Sequence, residues 1–246
     1  MGSNAEGPGR LCNALFRNFA LHKLATKFNL YVSKYAYAPE LSQLGLTFYS
    51  GHVRHARTLP LDDKSYEQAY ASSKCNNNFT MFHGYFQTQD LSDRLFHDLR
   101  TTFCDSIRSA NPHRNRYGLN NDIGVHVRLD DVANLNFGLD YYVRLIDILN
   151  GTDSNIFIGT DDPKHLIVQQ LLQHYPNSKC LQMSPVETIQ FLSTCSSLVL
   201  SQGTFSAVIG YLAFDAKTIY FPDGIHVAPW HPIEIFRNKG FLNGLI

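Results

Sequence analysis

The sequence predicts an α/β protein whose C-terminal half is a parallel sheet wrapped by helices. Two observations carry this. From Ile123 onward, strand-like and helix-like stretches alternate: "IGVHVRL", "LDYYVRLIDILNG", "SNIFIGTDDP", "KHLIVQQLLQHYP", "SSLVLSQGTFS", "AVIGYLAFDA" and "KTIYFPDG". Parallel neighbours need a crossover connection, so this alternation is their signature. Three of these strands also run out into polar residues at one edge, the C-terminal edge, where open α/β sheets bind ligands.

The N-terminal half is read element by element. "GPGRLCN" is a Gly-Pro-Gly turn entering a helix, in which Leu11, Leu15, Phe19, Leu24 and Phe28 share one face while Arg17, Lys23 and Lys27 lie elsewhere. No strand pattern precedes that turn. "LYVSKYAY" reads as a strand, residues 51–78 as loop with a short helix, and "FTMFHGYFQ" as an aromatic strand. "LSDRLFHDLRTTFCDSI" is a second amphipathic helix with Ser92-Asp93 as its cap. The aperiodic, breaker-rich segment 109–122 is the expected linker, giving an N-terminal α/β domain over 1–118 and a C-terminal domain over 119–246.

Composition narrows the function. The chain of 246 residues is long enough for a sizeable core, and 44% hydrophobic with 17% charged residues is globular composition. Lys+Arg and Asp+Glu are both 21, and this neutral balance argues against a broad electrostatic grip on nucleic acid, although a local pocket for a phosphate remains open. The five cysteines show no metal spacing and read as free thiols of a reducing compartment. The polar start "MGSNAEGPGR" has no signal-peptide core, and no run approaches the roughly 18 apolar residues of a membrane span. The expected location is cytoplasmic, or Golgi-lumenal where a membrane anchor has been removed from the chain.

The three strand ends hold the candidate chemistry. The first presents His126, Arg128, Asp130 and Asp131, with His126 and Arg128 on one face and Val127 on the other. Arg128 has the forked geometry to bind a pyrophosphate through two parallel hydrogen bonds; alone, it reads equally as a surface ion pair. His126 reads either as a ligand contact or as a satisfied core histidine. The second end presents Thr160, Asp161 and Asp162. Asp162, before Pro163, suits a helix cap, and Asp161 suits a guanine edge or a ribose hydroxyl. The third presents Ser201, Gln202, Gly203, Thr204, Phe205 and Ser206 directly before a helix: a sharp turn with hydroxyls at a helix N-terminus, suited to a phosphate or to simple capping. No metal-ligand cluster accompanies these acids, so no metal cofactor is expected.

In order along the chain, "GRLCNALFRNFA", "HGYFQTQD", "HVRLDD", "IFIGTDD" and "LSQGTFSAV" resemble the α-1,2-fucosyltransferase family and, more distantly, the α-1,6 enzymes. The resemblance runs from Gly9 to about Trp230. It implies a GT-B-like fold of two facing Rossmann-like α/β domains, and an inverting, metal-independent glycosyltransferase. GDP-fucose is the implied donor and a glycan hydroxyl of the galactose 2-OH type the implied acceptor. Arg128 would neutralise the diphosphate leaving group. His126, Asp161, Asp162, Thr204, Phe205 and Ser206 match donor positions, and Gly9 and Asn13 would face the acceptor side. Asp131 is the candidate general base, with Asp130 as its rival. Leu129 stands where the family pattern has a second arginine, and Asp130 where it has glycine. Another nucleotide-sugar donor, or a catalytically silent carbohydrate- or nucleotide-binding relative, is the alternative.

Overall fold

The computed structural model describes residues 2–7, 9–130 and 136–222. It divides into two compact units, Met1–Ile107 and Arg108–Ile246. Each is built on its own parallel sheet.

The first unit contains β1 (Ser3–Asn4), α1 (Leu11–Phe28), β2 (Val32–Lys34), α2 (Ala38–Gln43), β3 (Thr58–Pro60), α3 (Asp63–Ala71), β4 (Asn78–Thr80), α4 (Gln89–Thr101) and the start of α5 (Cys104–Ala110). Its strand order is β2-β1-β4-β3. A strand therefore does precede the glycine turn, in a central place, contrary to the sequence reading. It is two residues long and polar, so it gives no apolar signal. Ser3 is buried and its hydroxyl accepts from Phe79 N at 3.0 Å, while Thr80 Oγ1 donates to Asn4 Oδ1 at 3.0 Å. The segment 51–78 supplies β3 as well as a helix. Of the aromatic stretch only Phe79 and Thr80 are strand, as the end of β4.

α1 buries Leu15, Phe19 and Leu24 as its spacing requires, but it also buries Arg17 and Asn18 completely. The expected cap at Ser92 is not one. Thr88 caps α4, its side chain accepting from Leu91 N at 3.4 Å, and Ser92 is interior and buried.

The second unit contains β5 (Ile123–Val127), α6 (Leu139–Ile148), β6 (Ile156–Thr160), α7 (Leu166–His174), β7 (Ser178–Cys180), α8 (Pro185–Leu192), β8 (Ser197–Val199), α9 (Thr204–Leu212) and β9 (Thr218–Tyr220). All five strands are parallel, in the order β7-β6-β5-β8-β9. Alternate residues of β5 face opposite sides of the sheet. Ile123, Val125 and Val127 pack with Tyr142, Leu145 and Ile146 of α6 and with Val168 and Leu171 of α7. The other face approaches α8 so closely that a Cβ on Gly124 would lie 3.2 Å from Leu192, and one on Gly159 of β6 2.9 Å from Leu192. Those two glycines let α8 lie down on the sheet. Both β7 and α8 were absent from the sequence reading.

The expected linker is folded. Residues 108–118, placed before the sequence-based boundary, cluster with the second unit. Buried Asn111 donates to Gln190 O at 2.8 Å, and Arg116 donates to Asp122 Oδ2 at 2.8 Å and to Thr194 Oγ1 at 2.9 Å. Asn155 Nδ2 donates to Asp122 Oδ1 at 2.9 Å. Asp122→Ala leaves the guanidinium half-buried without this carboxylate, so unfolding free energy should fall by about 3 kcal/mol. A urea midpoint unchanged from the unsubstituted protein would contradict that.

Cys12, Cys75, Cys104, Cys180 and Cys195 are all free thiols. Among the described residues no helix is long and apolar enough to cross a membrane.

Candidate functional site

In the second unit the chain moves outward from β5 to β6 and β7, then returns to the other side of β5 with β8. The strand order reverses between β5 and β8. The crevice outside their C-terminal ends is the topological switch point, where neighbouring loops part and leave room for a ligand. Arg128 and the Ser201–Ser206 turn sit there.

Arg128 follows β5 directly and is half-buried. Its backbone is held twice: its N–H donates to Ser201 Oγ at 3.2 Å, and its carbonyl accepts from Asn136 Nδ2 at 3.0 Å. Its guanidinium lies against Gly203, where a Cβ would stand 2.3 Å from Nη1. Gly203 has φ +100° and ψ 163° and is the N-cap of α9; no side chain caps that helix and no acid lies in its first turn. The amides of the first turn have no intrahelical acceptor, and the helix dipole adds partial positive charge. A forked cation beside an uncapped helix N-terminus, across a glycine with no side chain in the way, is a cradle for a diphosphate.

The Ser206 hydroxyl is used away from the helix end, on His126. His126 Nδ1 lies 2.6 Å from Ser206 Oγ and 3.1 Å from Ser201 Oγ, and the two hydroxyls are 3.1 Å apart. The Phe205 ring covers the imidazole, with centroids 4.9 Å apart. His126 is thus buried on protein partners, the satisfied-histidine alternative. It fixes the α9 turn against β5. Thr204 is buried at the first helical position.

Burial, with the Arg128 charge nearby, lowers the His126 pKa to about 3, so the ring is neutral near pH 7. Burial lowers His22 in the first unit to about 4. A histidine whose folded pKa is depressed contributes stability above its unfolded value near 6.5, and that stability is lost as pH falls from there towards the folded value. Between pH 7 and pH 5, His126 should cost the fold about 2 kcal/mol. Denaturant unfolding at the two pH values checks this: the loss should shrink by that amount in His126→Gln, and equal losses would refute it.

The second strand end behaves differently from expectation. Asp161 is exposed, and its Oδ1 accepts from Leu129 N at 2.8 Å, tying the exits of β5 and β6 together. Asp162 does not cap α7. Its Oδ1 accepts from Lys164 N at 3.0 Å in a tight turn, and its own N–H donates to Thr160 Oγ1 at 3.1 Å, while His165 caps the helix. Asp130 is exposed just beyond Arg128. Asp131 lies outside the described residues. Leu129, in the place of a second arginine, is fully buried in the core against α6 and α7. Among the described residues no group of three or more His, Cys, Asp or Glu is placed to hold a metal ion.

In the first unit Gly9 and Asn13, the residues expected on the acceptor side, lie against each other. Gly9 has φ +93°, and a Cβ there would lie 2.4 Å from Asn13 Nδ2. Gln87 Nε2 donates to Asn13 Oδ1 at 3.0 Å. Sequence reasoning missed Asn136, whose Nδ2 donates to Tyr142 OH at 3.0 Å as well as to Arg128 O. It also missed Arg17, whose Nη2 donates to Gly7 O at 3.1 Å. Asn136 lies outside the quoted motifs and Arg17 inside "GRLCNALFRNFA", but only their contacts give either a role.

No family model matches the chain, and no curated protein matches it. Among solved structures it is similar to the fucosyltransferase NodZ from Bradyrhizobium, with TM-score 0.51 and 12% identity over 91% of this chain and 94% of that one. A selenomethionine form of fucosyltransferase NodZ from Bradyrhizobium matches with TM-score 0.39 and 14% identity, over 61% of this chain and 55% of that one. NodZ α-1,6-fucosyltransferase soaked with GDP-fucose matches with TM-score 0.36 and 14% identity, over 60% of this chain and 55% of that one. The chain thus spans about half the length of the latter two and nearly all of the first. At this identity the likeness concerns architecture: the chain has an α/β, GT-B-like fold of two parallel-sheet units, similar to that of a fucosyltransferase.

Proposed function

We propose that this protein is a glycosyltransferase that moves a sugar, fucose in the first instance, from a nucleoside diphosphate to a hydroxyl of a glycan. The observation that carries the reading is the Arg128 guanidinium seated on Gly203 at the uncapped N-terminus of α9, in the switch-point crevice. The fold likeness to a fucosyltransferase and the five ordered motifs support the same reading.

The chemistry asks little else of the protein. The bond from the anomeric carbon to the diphosphate oxygen breaks, and its electron pair leaves on the phosphate. The acceptor oxygen forms the new bond from the opposite face, inverting the centre, and its proton passes to a carboxylate. Arg128 and the α9 amides stabilise the growing phosphate charge. Asp131 is our general base, with Asp130 the alternative. Asp161, beyond holding Leu129 N, faces the nucleoside. We propose that transfer needs no metal, because fixed positive charge already serves the leaving group; activity should survive exhaustive EDTA treatment. Abolition with rescue by Mn²⁺ would overturn that.

Thermal unfolding with GDP, UDP and GDP-fucose tests the donor. A ligand at about 100 times its dissociation constant adds roughly 2.7 kcal/mol, or about 5–10 °C for a chain of this size. No shift with any nucleotide would sink the proposal. The second reading, a silent binding relative, is favoured by buried Leu129, which leaves one guanidinium where the family pattern has two. Donor hydrolysis without acceptor separates the two: release of free fucose marks an enzyme.

A further inference from the structure

Two tyrosines stand in the first turn of α6, and both are buried, Tyr142 completely. Their rings meet edge-on with centroids 4.9 Å apart. Phenylalanine would fill the same space without taking a phenol out of water, so the hydroxyls are accounted for by what they bond. Tyr141 OH donates to Leu200 O at 2.7 Å, at the exit of β8. Tyr142 OH accepts from Asn136 Nδ2 at 3.0 Å, with the Ser201 hydroxyl beside it and the Asp161 carboxylate nearby. Burial holds its pKa above the usual phenol value, so it stays a neutral hydroxyl.

Those three neighbours are the side chains that grip the backbone at Arg128. Ser201 Oγ accepts from Arg128 N at 3.2 Å, Asn136 Nδ2 donates to Arg128 O at 3.0 Å, and Asp161 Oδ1 accepts from Leu129 N at 2.8 Å. They come from three separate places: the turn after β8, the approach to α6 and the turn after β6. Tyr142 is the neighbour they share. The Asn136 amide is committed at both ends, because Oδ1 accepts from Gly138 N at 2.9 Å while Nδ2 serves both Arg128 O and the phenol. An amide bonded in this way cannot turn, so the phenol fixes its plane, and that plane fixes the direction of the Arg128 carbonyl. A residue whose two peptide groups are both held sends its side chain one way. Here the chain leaves with Nε buried and brings Nη1 against Gly203.

We propose that Tyr142 is a positioning residue: its phenol joins the Asn136, Ser201 and Asp161 grips on the Arg128 backbone and so aims the guanidinium into the diphosphate cradle. It acts through Arg128 and is not itself a catalytic residue. A guanidinium that tilts keeps its charge but loses one of its two parallel hydrogen bonds, so a small loss of aim is costly. The inference rests on the transferase reading in taking a diphosphate as the occupant of the cradle.

The test is Tyr142→Phe, which keeps the ring and removes only the hydroxyl. Asn136→Ala is a second variant on the same grip and carries the test should Tyr142→Phe not fold. Tyr175→Phe is the control, removing another buried phenol of this unit, one bonded to Val143 O and Asp147 Oδ1. Each protein is read in two ways: by the Arg128 Nε–H signal in heteronuclear NMR, assigned by its loss in Arg128→Ala, and by GDP affinity in titration calorimetry. Tyr142→Phe and Asn136→Ala should shift or broaden the signal and weaken GDP about tenfold. Tyr175→Phe should lower thermal stability and move neither. In an Arg128→Ala background, Tyr142→Phe should cost no further GDP affinity. A signal unmoved by Tyr142→Phe and Asn136→Ala, or moved equally by Tyr175→Phe, would overturn the positioning role. So would additive affinity losses, which would mark the phenol as acting apart from Arg128. If the unsubstituted protein binds no GDP, the transferase reading falls, and the Arg128 signal alone decides whether Tyr142 aims that side chain.

Discussion

Arg128→Ala should lower the initial transfer rate at saturating acceptor by about 100-fold, the scale of losing one strong electrostatic stabiliser of a developing anion. The fold should survive, because β5 exits through its backbone and not through this side chain. The Arg128 N–H still reaches Ser201 Oγ and its carbonyl still accepts from Asn136. The core residues on either side, Val127 and Leu129, are untouched. Arg128→Lys separates charge from shape. It keeps the cation and loses the planar fork, so the rate should still drop strongly, with less loss than in alanine. Leu129 sharpens the expectation, since a fully buried leucine cannot lend a second cation. The measurement is kcat and KM for donor, beside circular dichroism. If the group acts mainly on the leaving diphosphate, kcat carries most of the loss; a change confined to KM would make Arg128 a ground-state binding residue. Near-normal kcat in folded Arg128→Ala would sink the mechanism.

The sequence made the second unit's architecture legible because its long strands are continuous apolar runs closed by polar edges. It did not show β1, since two polar residues buried by sheet pairing carry no periodicity. α8 was legible and went unread: "SPVE" holds an N-cap serine, a proline at the first helical position and a glutamate completing a capping box. The site divides in the same way. Arg128 and the Gly203 turn stand out as candidates in the sequence because they fall at the C-terminal strand edge where open α/β sheets bind ligands. The engagement of Asp161 with Leu129 N, of Asp162 with Lys164 N and of Ser206 with His126 could not, because each depends on which atoms meet across elements far apart in sequence. The sequence sets Arg17 off the apolar stripe of α1, whereas in the fold it is fully buried with Nη2 on Gly7 O.

Gly203→Ala should reproduce much of the Arg128 defect without touching a charged group. Two effects combine at this position. At φ +100° and ψ 163° the backbone lies in a region open essentially to glycine alone, so alanine should cost about 1–3 kcal/mol of stability. The new Cβ would also stand 2.3 Å from Arg128 Nη1. That nitrogen is the far end of a flexible side chain, so the clash is relieved by swinging the guanidinium out of the cradle, which is the functional damage. Losing its charge-assisted hydrogen bonds to a diphosphate is worth about 1.5–3 kcal/mol, so GDP affinity should fall roughly 10- to 100-fold. A double-mutant cycle identifies the cause. If Gly203 acts by seating Arg128, adding Gly203→Ala to Arg128→Ala should cost little further GDP affinity, although the loss of thermal stability should persist. Titration calorimetry with GDP on the four proteins, held well below their unfolding temperatures, reads the affinity, and thermal unfolding of the same four reads the stability. Additive losses in affinity would mean that Gly203 and Arg128 serve the nucleotide separately and that the cradle is not one unit.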